Sequence, residues 1–244
     1  MTYVTRTVSP ATDMIFRIFS SALIAGGLAG VLVGLLQLAF VQPVLLHAEL
    51  YETGQLVHFG AVSDALAQQT VPVIDFRRDL LSVAFSALLF FGYAMLLLGA
   101  MLFAEERHDL SISPRAGLLW GVAAFVVMNM APAFSMAPEV PGVAAADVAH
   151  RQVWWFVTVV LAVIALWLIC LVRSPGAVAA AIVLLVAPHI VGAPEPAVFA
   201  GAAPPEIAAK FVARVIGVNL AGWSILGVLV SALWNRLVAD AQMG

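Results

Sequence analysis

Imidazoles and carboxylates gather in a few short stretches of the chain: His47, Glu49 and Glu52; His58; Glu139, Asp147 and His150; His189 and Glu195. Neutral imidazole beside carboxylate suits a divalent ion such as cobalt, nickel or zinc, and the lack of clustered cysteine speaks against a soft thiolate site. Cys170 is the only cysteine, so no internal disulfide can form. In His47-Ala48-Glu49-Leu50-Tyr51-Glu52 the two acids are three residues apart, on one face if the stretch is helical. This is far looser than a His-Glu-x-x-His motif. A lone histidine of this kind is more often a hydrogen-bonded residue than a ligand. His189 stands apart, because it follows a proline in an apolar run where a sister stretch has Ala133. His47, Glu49, Glu52, Glu139, His150, His189 and Glu195 are therefore the candidate metal ligands. His108, among Glu105, Glu106, Arg107 and Asp109, reads as a solvated loop residue.

The elements that must carry these side chains repeat. Ala131-Pro132-Ala133-Phe134-Ser135-Met136-Ala137-Pro138-Glu139 returns as Ala187-Pro188-His189-Ile190-Val191-Gly192-Ala193-Pro194-Glu195. Each copy ends an apolar run and is followed by a helix start with an acid four residues before a base, Asp147 with Arg151 and Glu206 with Lys210. An acid there satisfies free backbone donors and the helix dipole, and the base one turn on pairs with it. The pattern predicts tandem helical hairpins, over about residues 116–172 and 177–234, with their decorated ends on one side. Asp75-Phe76-Arg77-Arg78-Asp79 is a looser helix start, suggesting a third hairpin ahead of them.

With 63% hydrophobic and only 10% charged residues, the chain is too apolar for a soluble domain of its length. Its mean hydropathy is +1.05. The reading is an all-α integral membrane protein with about six transmembrane helices. Its candidate runs are Ile18 to Val41, Leu80 to Phe103, Ala116 to Met136, Val153 to Val172, Ala177 to Ile190 and Val212 to Trp234. The fifth is short and carries Pro188, which points to a tilted or broken helix. The first is too long for a cleavable signal and lacks a small-residue cleavage site. Residues 1–13 read as an N-terminal extension, open to disorder, and residues 14–244 as one polytopic domain. Arginines beside the short turns at Arg107 to Arg115 and Arg173 to Pro175 place those turns in the cytoplasm and the histidine-bearing segments outside.

Gly26, Gly30 and Gly34, with Ala22 and Ala29, bare one face of the first helix for close packing. Polar residues at helix depth are few: Gln37, Ser82, Ser86, Asn129, Thr158 and Asn219. No Asp, Glu, Lys or His lies near mid-span, where a proton relay would place one. Trp120, Trp154, Trp155 and Trp234 read as interfacial anchors, and Trp167 and Trp223 as packing. A net charge of −3 offers no basic field, so nucleic acid is excluded as a partner. No phosphate-binding Gly-x-x-x-x-Gly-Lys-Ser/Thr loop or Gly-x-Ser-x-Gly elbow is present, and an enzyme is not expected.

Phe40-Val41-Gln42-Pro43 with His47-Ala48-Glu49-Leu50-Tyr51-Glu52, Ala137-Pro138-Glu139-Val140-Pro141-Gly142, Ala145-Ala146-Asp147, Arg151-Gln152-Val153-Trp154-Trp155 and Pro188-His189-Ile190-Val191-Gly192-Ala193-Pro194 resemble the CbtA family, in order, from about Met14 to Trp234. The resemblance implies a predicted cobalt transporter subunit of the bacterial inner membrane, working beside a small single-span partner, CbtB. It implies cobalt import, with the seven candidate ligands collecting a hydrated ion at the outer surface. The ion would be cargo, and no tightly bound cofactor is expected. Two other readings stay open: an accessory subunit whose acids and histidines merely cap turns, and a haem- or pigment-binding protein with His150 and His189 as axial ligands.

Overall fold

The computed structural model describes residues 10–57 and 75–243. Residues 1–9 of the expected extension and His58 lie outside them. Helix α1, Pro10–Leu36, begins within that extension and passes through a five-residue π turn, Gln37–Val41, into α2, Gln42–Glu52. Then come α3, Phe76–His108, and α4, Pro114–Phe125, which also widens into a π turn, Val126–Met130, before a final helical turn, Ala131–Ala133. Helix α5, Val148–Trp167, ends in a third π turn, Leu168–Val172. Helices α6, Pro175–Val191, and α7, Pro205–Met243, complete the chain. Among the described residues there is no strand, only an isolated antiparallel bridge between Val143 and Gly201.

Among the described residues, five segments are long and apolar enough to cross a membrane: Met14–Glu52, Phe76–His108, Pro114–Ala133, Val148–Val172 and Pro205–Leu237. Side chains such as Leu88, Leu96, Leu119 and Phe156 are more than half exposed on them, as lipid-facing residues must be. The protein is therefore a multi-pass membrane protein. The remaining candidate, α6, has 17 residues and rises about 25 Å, short of a hydrocarbon core of roughly 30 Å. It runs unbroken through Pro188. Ser174 caps its start by accepting from the Ala177 amide at 3.1 Å, with Pro175 at the first position, where its missing N–H is no loss. Gly192, at φ 92°, ends it.

The chain packs as two compact units. The first is built from Met1–Gly34, Ser82–Val122 and Gly222–Gly244. Here the glycines of α1 lie against the backbone of α3: a Cβ on Gly26 would fall 2.5 Å from the Phe91 Cα and one on Gly34 2.9 Å from the Val83 Cα, and Gly30 meets Ala87 in the same way. Gly117 and Gly121 of α4 give a second such contact, on Gly227 and Trp223 of α7. Trp223 is buried and stacks on Tyr93 at 4.8 Å, as a packing residue should. Trp234, expected as an interfacial anchor, is buried at 7% exposure, because the glycine contacts hold α7 within the unit. Arg17 donates to the Leu237 carbonyl and Asn235 to that of Ile112.

The second unit comprises Leu35–Leu81 and Ala123–Ala221. One apolar cluster joins Val44 and Ala48 of α2 to Val140, Ala203 and Phe211; another joins Val127 to Val159 and Ala162 of α5, with Leu185 of α6 against it. The loops after the two sequence copies pair with each other: Ala144 donates to the Ala200 carbonyl at 2.7 Å, and Ala202 to that of Gly142 at 2.8 Å. Gly142 makes this possible with φ 80° and by leaving room for Glu52, whose Cβ is 3.1 Å from where a Cβ on Gly142 would stand. The copies themselves end in unlike helices, one widened before Pro132 and one regular through Pro188.

Candidate metal-capture site

The first two π turns immediately precede prolines, Pro43 and Pro132. Proline lacks an amide hydrogen, and its ring crowds the carbonyl four residues back. Widening the turn relieves the crowding: Gln42 donates to Gln37 and Ala131 to Val126, each five residues back. The widened turns contain Gln37 and Asn129, two of the few polar residues expected at helix depth. At the first of them Arg214 of α7 donates to the Phe40 carbonyl at 2.7 Å. The Asp79 carboxylate takes Gln42 at 2.8 Å and the Arg78 guanidinium at 3.0 Å. Nothing local in the sequence marks Arg214 for this, since its partner is a carbonyl 174 residues away.

His189 sits on the last turns of α6, where the ends of α4 and α6 meet the start of α5. Its Nδ1 is 2.8 Å from Ser135 Oγ. The Phe134 and Trp154 rings meet it edge-on, with centroids 4.9 and 5.9 Å away. Trp154, expected as an interfacial anchor, is buried instead, and its indole donates to the Pro188 carbonyl at 3.3 Å. That carbonyl also accepts from Gly192 at 3.1 Å. A buried indole N–H requires such a partner, and this one fixes the residue next to His189. Thr158 braces the same corner by donating to the Trp154 carbonyl at 2.9 Å.

The other candidates are spread over the second unit. Asp147 caps α5 as expected, accepting from the His150 amide at 3.1 Å, with His150 Nδ1 3.4 Å from the same carboxylate. Both side chains are well exposed. Arg151 does not turn back to Asp147; its guanidinium pairs with Glu139 at 2.8 Å, because the loop brings a closer carboxylate to it. Arg151 also lines an apolar depression with Met136, Val148, Gln152, Trp155 and Phe156. No ion pair joins Glu206 to Lys210 among the described residues. His47 stacks on Tyr51, with ring centroids 5.7 Å apart. Glu49 is half-buried on α2, and Glu52 and Glu195 are exposed. Among the described residues no three of His, Cys, Asp or Glu converge on one point.

This arrangement holds one oriented imidazole and several carboxylates that, among the described residues, do not converge on it. The family model described as "Probable cobalt transporter subunit (CbtA)" matches residues 15–235. The chain belongs to the CbtA family. The CbtA description implies a cobalt transporter subunit, and the word subunit implies a partner. No curated protein and no solved structure matches the chain. The CbtA match takes in all seven candidate ligands and Ser135, Trp154 and Arg214 as well.

Proposed function

We propose that the protein imports a hydrated divalent transition-metal ion, cobalt foremost, across the bacterial inner membrane, as the membrane-spanning subunit of a CbtAB-like system. The observation that carries the proposal is the His189 imidazole, held by a hydroxyl and two aromatic edges at the end of an apolar helix, in a chain of the CbtA family. Imidazole binds cobalt, nickel and zinc through a neutral nitrogen. A transported ion must be held firmly enough to enter and loosely enough to leave, and ligands met one at a time serve that need. On this reading His189 makes the first contact, Glu195 and the exposed acids raise the local ion concentration, and the widened turns bearing Gln37 and Asn129 mark the inward path. Glu139 is left to its partner Arg151.

The test is cobalt-57 uptake, with nickel and zinc as competitors, in cells lacking other cobalt importers, with and without a CbtB-like single-span protein. Uptake above the empty vector is expected. The doubly substituted His189→Ala, Glu195→Ala protein should lose it at unchanged membrane level. Normal uptake by that variant would remove the site. No uptake by the wild type with either complement would move the assignment to an accessory subunit, and visible absorption by the purified protein would move it to cofactor binding.

A further inference from the structure

An imidazole can bind a cation at one nitrogen only if that nitrogen has its lone pair, which puts the ring proton on the other. In His189 the two nitrogens have unlike surroundings. Nδ1 faces Ser135 Oγ at 2.8 Å, and the ring is confined by Phe134 and Trp154, so that rotation to exchange the nitrogens is resisted on two sides. Nε2 is then the nitrogen available to an incoming ion. When it is occupied, Nδ1 must carry the proton, and Ser135 is the group placed to accept it. We infer that Ser135 is the positioning residue for metal capture: its hydroxyl oxygen accepts a hydrogen bond from the Nδ1–H of His189 and so presents the Nε2 lone pair to the divalent cation. The inference rests on the reading of His189 as the capturing ligand.

A hydroxyl suits a ligand that must also let go. A carboxylate in this place could only accept, fixing the histidine as a ligand and raising its basicity. The serine hydroxyl both donates and accepts. Once the ion has left, Nε2 can take a proton from water and Nδ1 give its own to water; the hydroxyl then turns to donate to Nδ1, and the Nε2–H no longer offers a lone pair to a cation. Capture and release thus differ by the ring tautomer, exchanged through water, and by the sense of one hydrogen bond, without displacement of the ring. Ser135 sits in the turn just after Pro132, whose carbonyl accepts from the Ser135 amide at 3.3 Å and the Met136 amide at 2.9 Å. The corresponding residue of the other copy is Val191, which can do neither. The pair is therefore assembled from one residue of each copy, 54 positions apart.

Three substitutions separate this role from a structural one: Ser135→Ala removes the acceptor, Ser135→Thr keeps it, and His189→Ala removes the ligand. The readouts are concentration-dependent cobalt uptake by cells and cobalt binding by the purified full chain in detergent, followed by titration calorimetry and normalised to monodisperse protein. Loss of a hydrogen-bond partner behind a metal-bound histidine weakens affinity roughly 10- to 100-fold. Ser135→Ala is thus expected to raise the half-saturating cobalt concentration by about tenfold or more, with a smaller fall in maximal rate, and Ser135→Thr to restore it. His189→Ala should show no saturable binding. Wild-type half-saturation in Ser135→Ala, or failure of threonine to rescue, would overturn the inference while leaving His189 in place. Wild-type binding in His189→Ala would overturn both. Absence of uptake by the wild type, with the alanine and threonine pattern intact in calorimetry, would retain the inference and discard transport.

Discussion

At the scale of single residues, the side chains that looked alike in sequence divide into two kinds. Glu139 is engaged at 2.8 Å by Arg151, and both side chains are about 30% exposed, so this ion pair is partly shielded from water. Glu195, its counterpart in the other copy, is exposed. Removing the charge of Glu139 leaves the Arg151 guanidinium without it, and partial exposure keeps the loss near 1 kcal/mol rather than the several of a fully buried pair. Glu139→Gln is therefore expected to lower the thermal midpoint of the purified protein by about 2–4 °C and to leave the half-saturating cobalt concentration within about twofold. A midpoint unchanged with cobalt affinity lost would make Glu139 a ligand after all. The acid-to-base spacing of Asp147 and Arg151 correctly announced a helix start but named the wrong partner for the arginine. Spacing reports neighbours along one helix, whereas the carboxylate that wins comes from a loop folded over it. The pairing of His189 with Ser135 was beyond reach for the same reason.

At the scale of helices, absence of a side chain proved more legible than its presence. Glycine at every fourth position leaves backbone as the contact surface, which depends on nothing but the helical period, and Gly26, Gly30 and Gly34 do lie on the α3 backbone. Gly27 of the same helix meets nothing within 4 Å. Gly30→Leu should accordingly reduce folded, detergent-soluble protein several-fold, since overpacking commonly costs about 1–3 kcal/mol and here the obstruction is main chain. Gly27→Leu, facing open space, should express as the wild type does. Equal yields for the two, measured by size-exclusion fluorescence of tagged protein, would show that close approach of α1 and α3 is dispensable. The widened turns had no comparable signature. Proline predicts a disturbance, and the disturbance takes different forms: π turns before Pro43 and Pro132, a regular helix through Pro188. Side chains from other helices reach carbonyls beside two of these prolines, Arg214 that of Phe40 and Trp154 that of Pro188 itself.

At the scale of the molecule, composition alone announced a helical membrane protein, and five helices of sufficient length and apolarity bear it out. Orientation decides whether His189, on the proposed reading, meets ions entering the cell or leaving it. The segment Val148–Val172 has 25 residues and rises about 37 Å, enough to cross the roughly 30 Å hydrocarbon core. Its two ends must then face opposite compartments: the His150 end carries the Arg151 and Glu139 pair, and the other runs into the tight turn at Arg173. Short loops with arginine favour the cytoplasm, so the Arg173 turn is expected inside. Single-cysteine reporters read this directly. In a Cys170→Ser background, Ala145→Cys lies in the exposed loop before α5, and Gly176→Cys stands where an added Cβ meets nothing within 4 Å. A membrane-impermeant maleimide should label the first in intact spheroplasts and the second only after lysis. The reverse pattern would turn the His189 end to the cytoplasm, and an imidazole presented there would serve export or intracellular delivery of the ion, so import would have to be abandoned even if cobalt binding at His189 were secure.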